Sequence, residues 1–173
     1  MTFTADSAQN FFPDIPNYST QKSSAVTSAI TVLKSLKVDE QLALIWLIQT
    51  EVGYSITSLA TGPARLHLFA GLLNQIKLMS NEEQLQVMRD LIAQKNTQIS
   101  RSYGILSNNT KLAFWYELSE LMIQGIVIPM PTKYELSQQG KEATKILEKL
   151  GFAQQITVLH KVVTGMGVNP FIE

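Results

Sequence analysis

The chain has 173 residues, of which 45% are apolar and only 16% charged, with 14 Lys plus Arg offset by 14 Asp plus Glu. One compact domain with ample core, or two small halves sharing one core, is expected, and the zero formal charge argues against a nucleic-acid binder, which needs a clustered basic excess. Cysteine is absent, which removes disulfides, thiolate metal sites and thiol nucleophiles together.

The first twenty residues mix Phe3, Phe11 and Phe12 with Pro13 and Pro16. They lack the basic and uninterrupted apolar regions of a signal peptide, so a cytoplasmic protein is expected. No window approaches the roughly 18 apolar residues of a membrane span. Residues 1–19 read as an irregular arm, 20–168 as one helical domain and 169–173 as a tail. The arm's aromatics are expected to pack on the helical body of a monomer, or on a second copy in a weak homodimer.

From Thr20 onward the spacing is helical. Ala25, Ile30, Leu33 and Leu36 mark a first helix, with Ser19 or Thr20 as cap. Asp39 opens a second, in which Leu42, Ile45, Trp46 and Gln49 share a face and Gly53 is the expected stop. A short segment from Tyr54 to Ala60 follows, ending at Gly62 and Pro63, and Pro63 suits a first helical position. Leu66, Phe69, Leu72, Leu73 and Ile76 mark a third long helix. Ser80 and Glu83 match a capping box, starting a helix with Leu85, Met88, Leu91 and Ile92 inside.

A short helix fits around Ile99 to Ile105. Asn108, Asn109 and Thr110 offer caps for the next segment, where Leu112, Trp115, Tyr116, Ser119, Met122 and Ile123 repeat at i, i+3, i+4 before Gly125. Two prolines make IVIPMPTKYELS an extended connection. Ser137 caps a helix running to Leu150, and Gly151 separates it from a last one. No alternation long enough for a sheet occurs. The fold class read from this pattern is all-α, with seven to nine helices.

Catalytic signatures are missing. His67 and His160 stand too far apart for a metal site. No phosphate loop or nucleophile elbow occurs. Glu51 and Glu117 lie on apolar helices, with Arg101 as a candidate ion-pair partner. No enzyme is expected. What stands out instead is the set Trp46, Trp115, Tyr116 and Tyr134 with Met79, Met88, Met122 and Met130. Such side chains conform well to a flat apolar partner, although helical spacing of this kind is more often ordinary core.

Three stretches carry a resemblance: LALIW at 42–46, FWYEL at 114–118 and QQITVL at 154–159. With them the chain, from Phe3 to about Met166, resembles the N-terminal, carotenoid-binding domain of the cyanobacterial orange carotenoid protein, and in particular its stand-alone paralogues, the helical carotenoid proteins. The resemblance implies two intertwined four-helix bundles with a ketocarotenoid (canthaxanthin, echinenone or 3'-hydroxyechinenone) threaded between them. It implies a channel lined by Leu42, Trp46, Gly62, Met88, Leu112, Trp115 and Tyr116, then by Ser119, Met122, Met130, Pro131, Tyr134, Ile156 and Val163. Gln49 and His160 join this set as departures. Gln49 stands where the family has a tyrosine that stacks on the carotenoid, and His160 replaces an arginine that contributes to phycobilisome docking.

The implied function is photoprotection, with singlet oxygen quenched by the bound pigment. The alternatives are excitation quenching on phycobilisomes, at the cytoplasmic face of thylakoid membranes, and pigment exchange with a homologue of the family's C-terminal domain.

Overall fold

The structure, a computed structural model, describes the backbone of residues 17–60 and 63–172 and the side chains of 23–52 and 67–172. The expectations on the aromatic arm and on Gly62 lie outside those residues. The described chain is all-helical: α1 (Asn17–Ser35), α2 (Val38–Ala60), α3 (Pro63–Lys77), α4 (Asn81–Ile92), α5 (Gln98–Gly104), α6 (Asn108–Ile123), α7 (Gln138–Glu148) and α8 (Phe152–Thr164).

Local chemistry sets most of these boundaries. Ser80 accepts the Glu83 amide while the Glu83 carboxylate accepts the Ser80 amide, so two free donors at the start of α4 are satisfied reciprocally. Thr97 and Ser137 cap α5 and α7 through their hydroxyls. Three expectations are corrected. The first helix already begins at Asn17, so Ser19 and Thr20 lie within it rather than capping it. The cap of α6 is Ser107, whose hydroxyl accepts from Thr110, and Asn108 is already helical. Gly53 does not stop α2, which continues to Ala60. A glycine inside a helix costs about 1 kcal/mol relative to alanine, a cost that burial along a 23-residue helix can offset.

The helices form two groups. In one, α1, α2, α7 and α8 pack together; in the other, α3 to α6 do. The second group interrupts the first in sequence, so the two bundles are intertwined. They are joined where α6 packs on α2 and α8. Leu33, Leu44, Ile76, Leu91, Leu118, Val158 and Leu159 are almost wholly buried in one continuous apolar cluster spanning both groups. An aromatic knot sits inside it. Phe114 meets Phe69, Tyr103 and Trp115 edge-on, at centroid distances of 6.1, 5.2 and 6.1 Å. No described helix is long and apolar enough to cross a membrane.

Candidate ligand-binding site

A cavity of about 190 Å³ opens at the junction of the two groups, between α2, α4, α6 and the connection that follows α6. From α2 it receives Leu42, Ala43, Ile45, Trp46 and Gln49, and from α4 Leu85 and Met88. From α6 come Trp115 and Met122, and the connection supplies Ile128, Pro129, Met130, Pro131 and Tyr134. The walls are thus apolar, aromatic and Met-rich.

The proline-bounded wall is irregular chain with a turn at 132–133 where an extended connection was expected, and buried side chains hold it at both ends. At its start Gln84 of α4, 1% exposed, donates from Nε2 to the carbonyls of Ile76 and Ile126 at 3.1 and 3.4 Å. The same side chain accepts the Ile128 amide at 2.8 Å. At its end the buried carboxylate of Glu40 on α2 accepts the Ser137 amide at 2.8 Å. The Ser137 hydroxyl and amide hold Glu40 below its ordinary carboxylate value. Between them, Arg89 grips Asp39 with two parallel bonds of 2.7 and 2.9 Å, joining α4 to α2 at the rim of the cavity. That hydrogen-bonded pairing lowers the Asp39 pKa. Tyr134 shares the rim, and burial raises its phenol pKa.

The expected site residues divide by position. Leu42, Trp46, Gln49, Met88, Trp115, Met122, Met130, Pro131 and Tyr134 are brought together around the cavity. Leu112 and Val163 lie in the buried core. Buried Ser119 donates to the Tyr116 carbonyl at 2.7 Å, and half-buried Tyr116 and Ile156 pack against the core. His160 lines a separate surface groove with Lys34, Asn108 and Lys161.

Sequence reasoning missed Asp39, Arg89, Leu85 and Ile128 as wall residues. The 50-residue separation of Asp39 and Arg89 leaves no pattern to find. Leu85 was visible as an inner residue of α4, without a reason to place it here. The carboxylates singled out from sequence do different things. Glu51 is exposed, and Glu117 is half-buried, with burial raising its pKa. Arg101, the candidate partner, instead donates to Asn96 at 2.7 Å. No group of His, Asp and Glu able to hold a metal occurs among the described residues.

Two intertwined helical bundles enclosing an apolar, aromatic-walled cavity at their junction define an all-α domain of the kind that encloses an apolar small molecule. A family model described as "Orange carotenoid protein, N-terminal" matches residues 19–169. The chain belongs to that family.

A protein of Nostoc sp. (strain PCC 7120 / SAG 25.82 / UTEX 2576), named orange carotenoid-binding domain-containing protein, is 60% identical over 173 residues, covering 100% of both chains. Among solved structures, the orange carotenoid protein of Anabaena (Nostoc) sp. PCC 7120 binding canthaxanthin is similar, with a TM-score of 0.81 and 40% identity. That match covers 96% of this chain and 51% of the solved one, so the chain spans about half of that longer protein. The red carotenoid protein of the same organism, binding canthaxanthin, matches with a TM-score of 0.70 and 42% identity, over 82% of this chain and 97% of its own.

Proposed function

We propose that this chain binds a ketocarotenoid and protects against light by quenching singlet oxygen through the bound pigment. The single observation that supports the reading most is the cavity itself. Its apolar lining is drawn from both bundles, and one buried amide, the Nε2 of Gln49, has no protein partner there. Canthaxanthin in two solved relatives points to the ligand class.

Size shapes the assignment. At about 190 Å³ the cavity is below the roughly 300–1,000 Å³ of pockets that enclose a whole drug-sized ligand. It suits one end ring with the adjoining polyene. Leu112, Tyr116 and Ser119 fall at helical spacing with Trp115 and Met122 along α6, while Ile156, His160 and Val163 fall at such spacing along α8. We assign these residues to the remainder of the polyene.

When bound, a conjugated polyene accepts excitation from singlet oxygen and releases it as heat. The protein's own residues perform no turnover in this reading. Trp46, Trp115 and Tyr134 offer flat faces to the ring, and Met88 and Met122 fill irregular gaps.

The test is expression in a strain that makes canthaxanthin. A visible band that co-elutes with the protein, together with faster singlet-oxygen decay than the colourless form gives, is expected. A folded protein that stays colourless would overturn the reading.

A further inference from the structure

Gln49 sits one turn after Trp46 on α2, is 4% exposed and lines the apolar cavity. Its Nε2 has no hydrogen-bond partner. Two other polar groups on the cavity wall are already engaged, Asp39 with Arg89 and the Trp115 indole with Tyr103. A buried amide donor without an acceptor carries its full desolvation penalty, and water in an apolar slot finds few partners to share. The side chain therefore calls for an acceptor delivered by a ligand whose remaining surface is hydrocarbon.

We infer that Gln49 determines end-ring specificity, its Nε2 donating a hydrogen bond to the carbonyl oxygen of an oxygenated ring seated beside Trp46 and Trp115. The inference rests on the function proposed above and narrows it to the ring chemistry the site selects. The amide nitrogen can only donate, so the ring must carry an acceptor oxygen, and a carbonyl supplies one without adding a hydroxyl donor that would itself need a partner in an apolar slot. A ring lacking oxygen would leave the amide unpaired, and sites of that kind reject such an analogue far more strongly than apolar walls discriminate alone.

The test is competitive loading of the wild-type protein and the Gln49→Leu variant with canthaxanthin and β-carotene, which differ in the ring carbonyls. The wild type should prefer canthaxanthin by on the order of tenfold, and Gln49→Leu should bring that ratio close to one while still taking up pigment. Resonance Raman spectra of the canthaxanthin-loaded proteins should place a carbonyl stretch lower in the wild type than in the variant. Without pigment, Gln49→Leu should melt no lower than the wild type, because it removes a buried donor that has no partner.

Equal preference and equal carbonyl stretches in two pigmented proteins would overturn the role of Gln49 and leave carotenoid binding standing. So would a lower melting temperature of pigment-free Gln49→Leu. Failure of folded wild type to take up either pigment would overturn both readings.

Discussion

The indole of Trp115, which faces the cavity, is anchored from behind by Tyr103: its Nε1 donates to the Tyr103 hydroxyl at 3.0 Å. That hydroxyl in turn donates to the carbonyl of Val163 at 2.6 Å. Both side chains are almost wholly buried, so the relay passes from α6 through α5 to α8 without water. Burial also pushes the Tyr103 phenol far up, which keeps it a donor at any ordinary pH. Nearby, the partly desolvated Lys111 ammonium donates to the Thr164 carbonyl and lies 5.3 Å from the Tyr103 ring centroid.

Replacing Tyr103 with Phe keeps the ring and removes the relay. The Trp115 N–H is then left without a partner inside the core, while the Val163 carbonyl keeps the Met166 amide. The expected cost is about 1–3 kcal/mol in urea unfolding. Near-UV circular dichroism should show a loosened tryptophan environment. An unchanged unfolding midpoint and spectrum would show that ring packing alone holds Trp115.

Gln84 makes a second clean case. Gln84→Leu conserves volume but strips the Ile128 amide of its acceptor and the Ile76 and Ile126 carbonyls of a donor. A loss of about 1–3 kcal/mol is expected. Faster hydrogen exchange should be confined to residues 126–131, and exchange that rises evenly over the whole chain would contradict the latch.

Acid should act on the same wall from its other end. Glu40 is held below the ordinary carboxylate range by Ser137, and Asp39 by Arg89. Depressed carboxylates contribute stability that is present above their unfolded values and lost as pH falls through the folded ones. Thermal stability of the wild type should therefore decline below about pH 4. Glu40→Gln should melt lower at pH 7 and show a flatter acid limb. Parallel acid limbs for the two proteins would remove Glu40 from the account.

Two helical glycines predict opposite outcomes. A Cβ on Gly104 would lie 2.0 Å from the Val168 carbonyl oxygen, whereas one on Gly71 meets nothing within 4 Å. Gly104→Ala should destabilise by roughly 2 kcal/mol or more, since neither backbone can yield cheaply. Gly71→Ala, at an exposed position of α3, should stabilise by about 0.5–1 kcal/mol. Chemical melts of both variants check the sign.

Much of this was legible in the sequence because helices declare themselves. The capping box at Ser80 and Glu83, Pro63 at the start of α3 and the proline-bounded connection all stand where their chemistry puts them. The face of α6 turned to the cavity was legible only in part, since Trp115 and Met122 line it while Leu112, Tyr116 and Ser119 of the same repeating set do not. Leu112, Ala113, Phe114 and Trp115 are consecutive and all buried, so no polar side marks which way that helix turns. Gln49 was visible as a departure from a family pattern, yet only burial and the loss of every partner reveal its donor as unspent. Gln84 and Glu40 carry no sequence signal, because their partners are backbone groups contributed by other segments.

An irregular wall normally brings a liability that helices avoid, namely backbone N–H groups turned toward whatever they enclose. Here that liability is almost erased. Pro129 and Pro131 have no N–H to present, the Ile128 amide is taken by Gln84, and that of Tyr134 by the Pro131 carbonyl at 3.2 Å. The connection thus presents the cavity with a wall almost bare of backbone donors, although no helix supplies it.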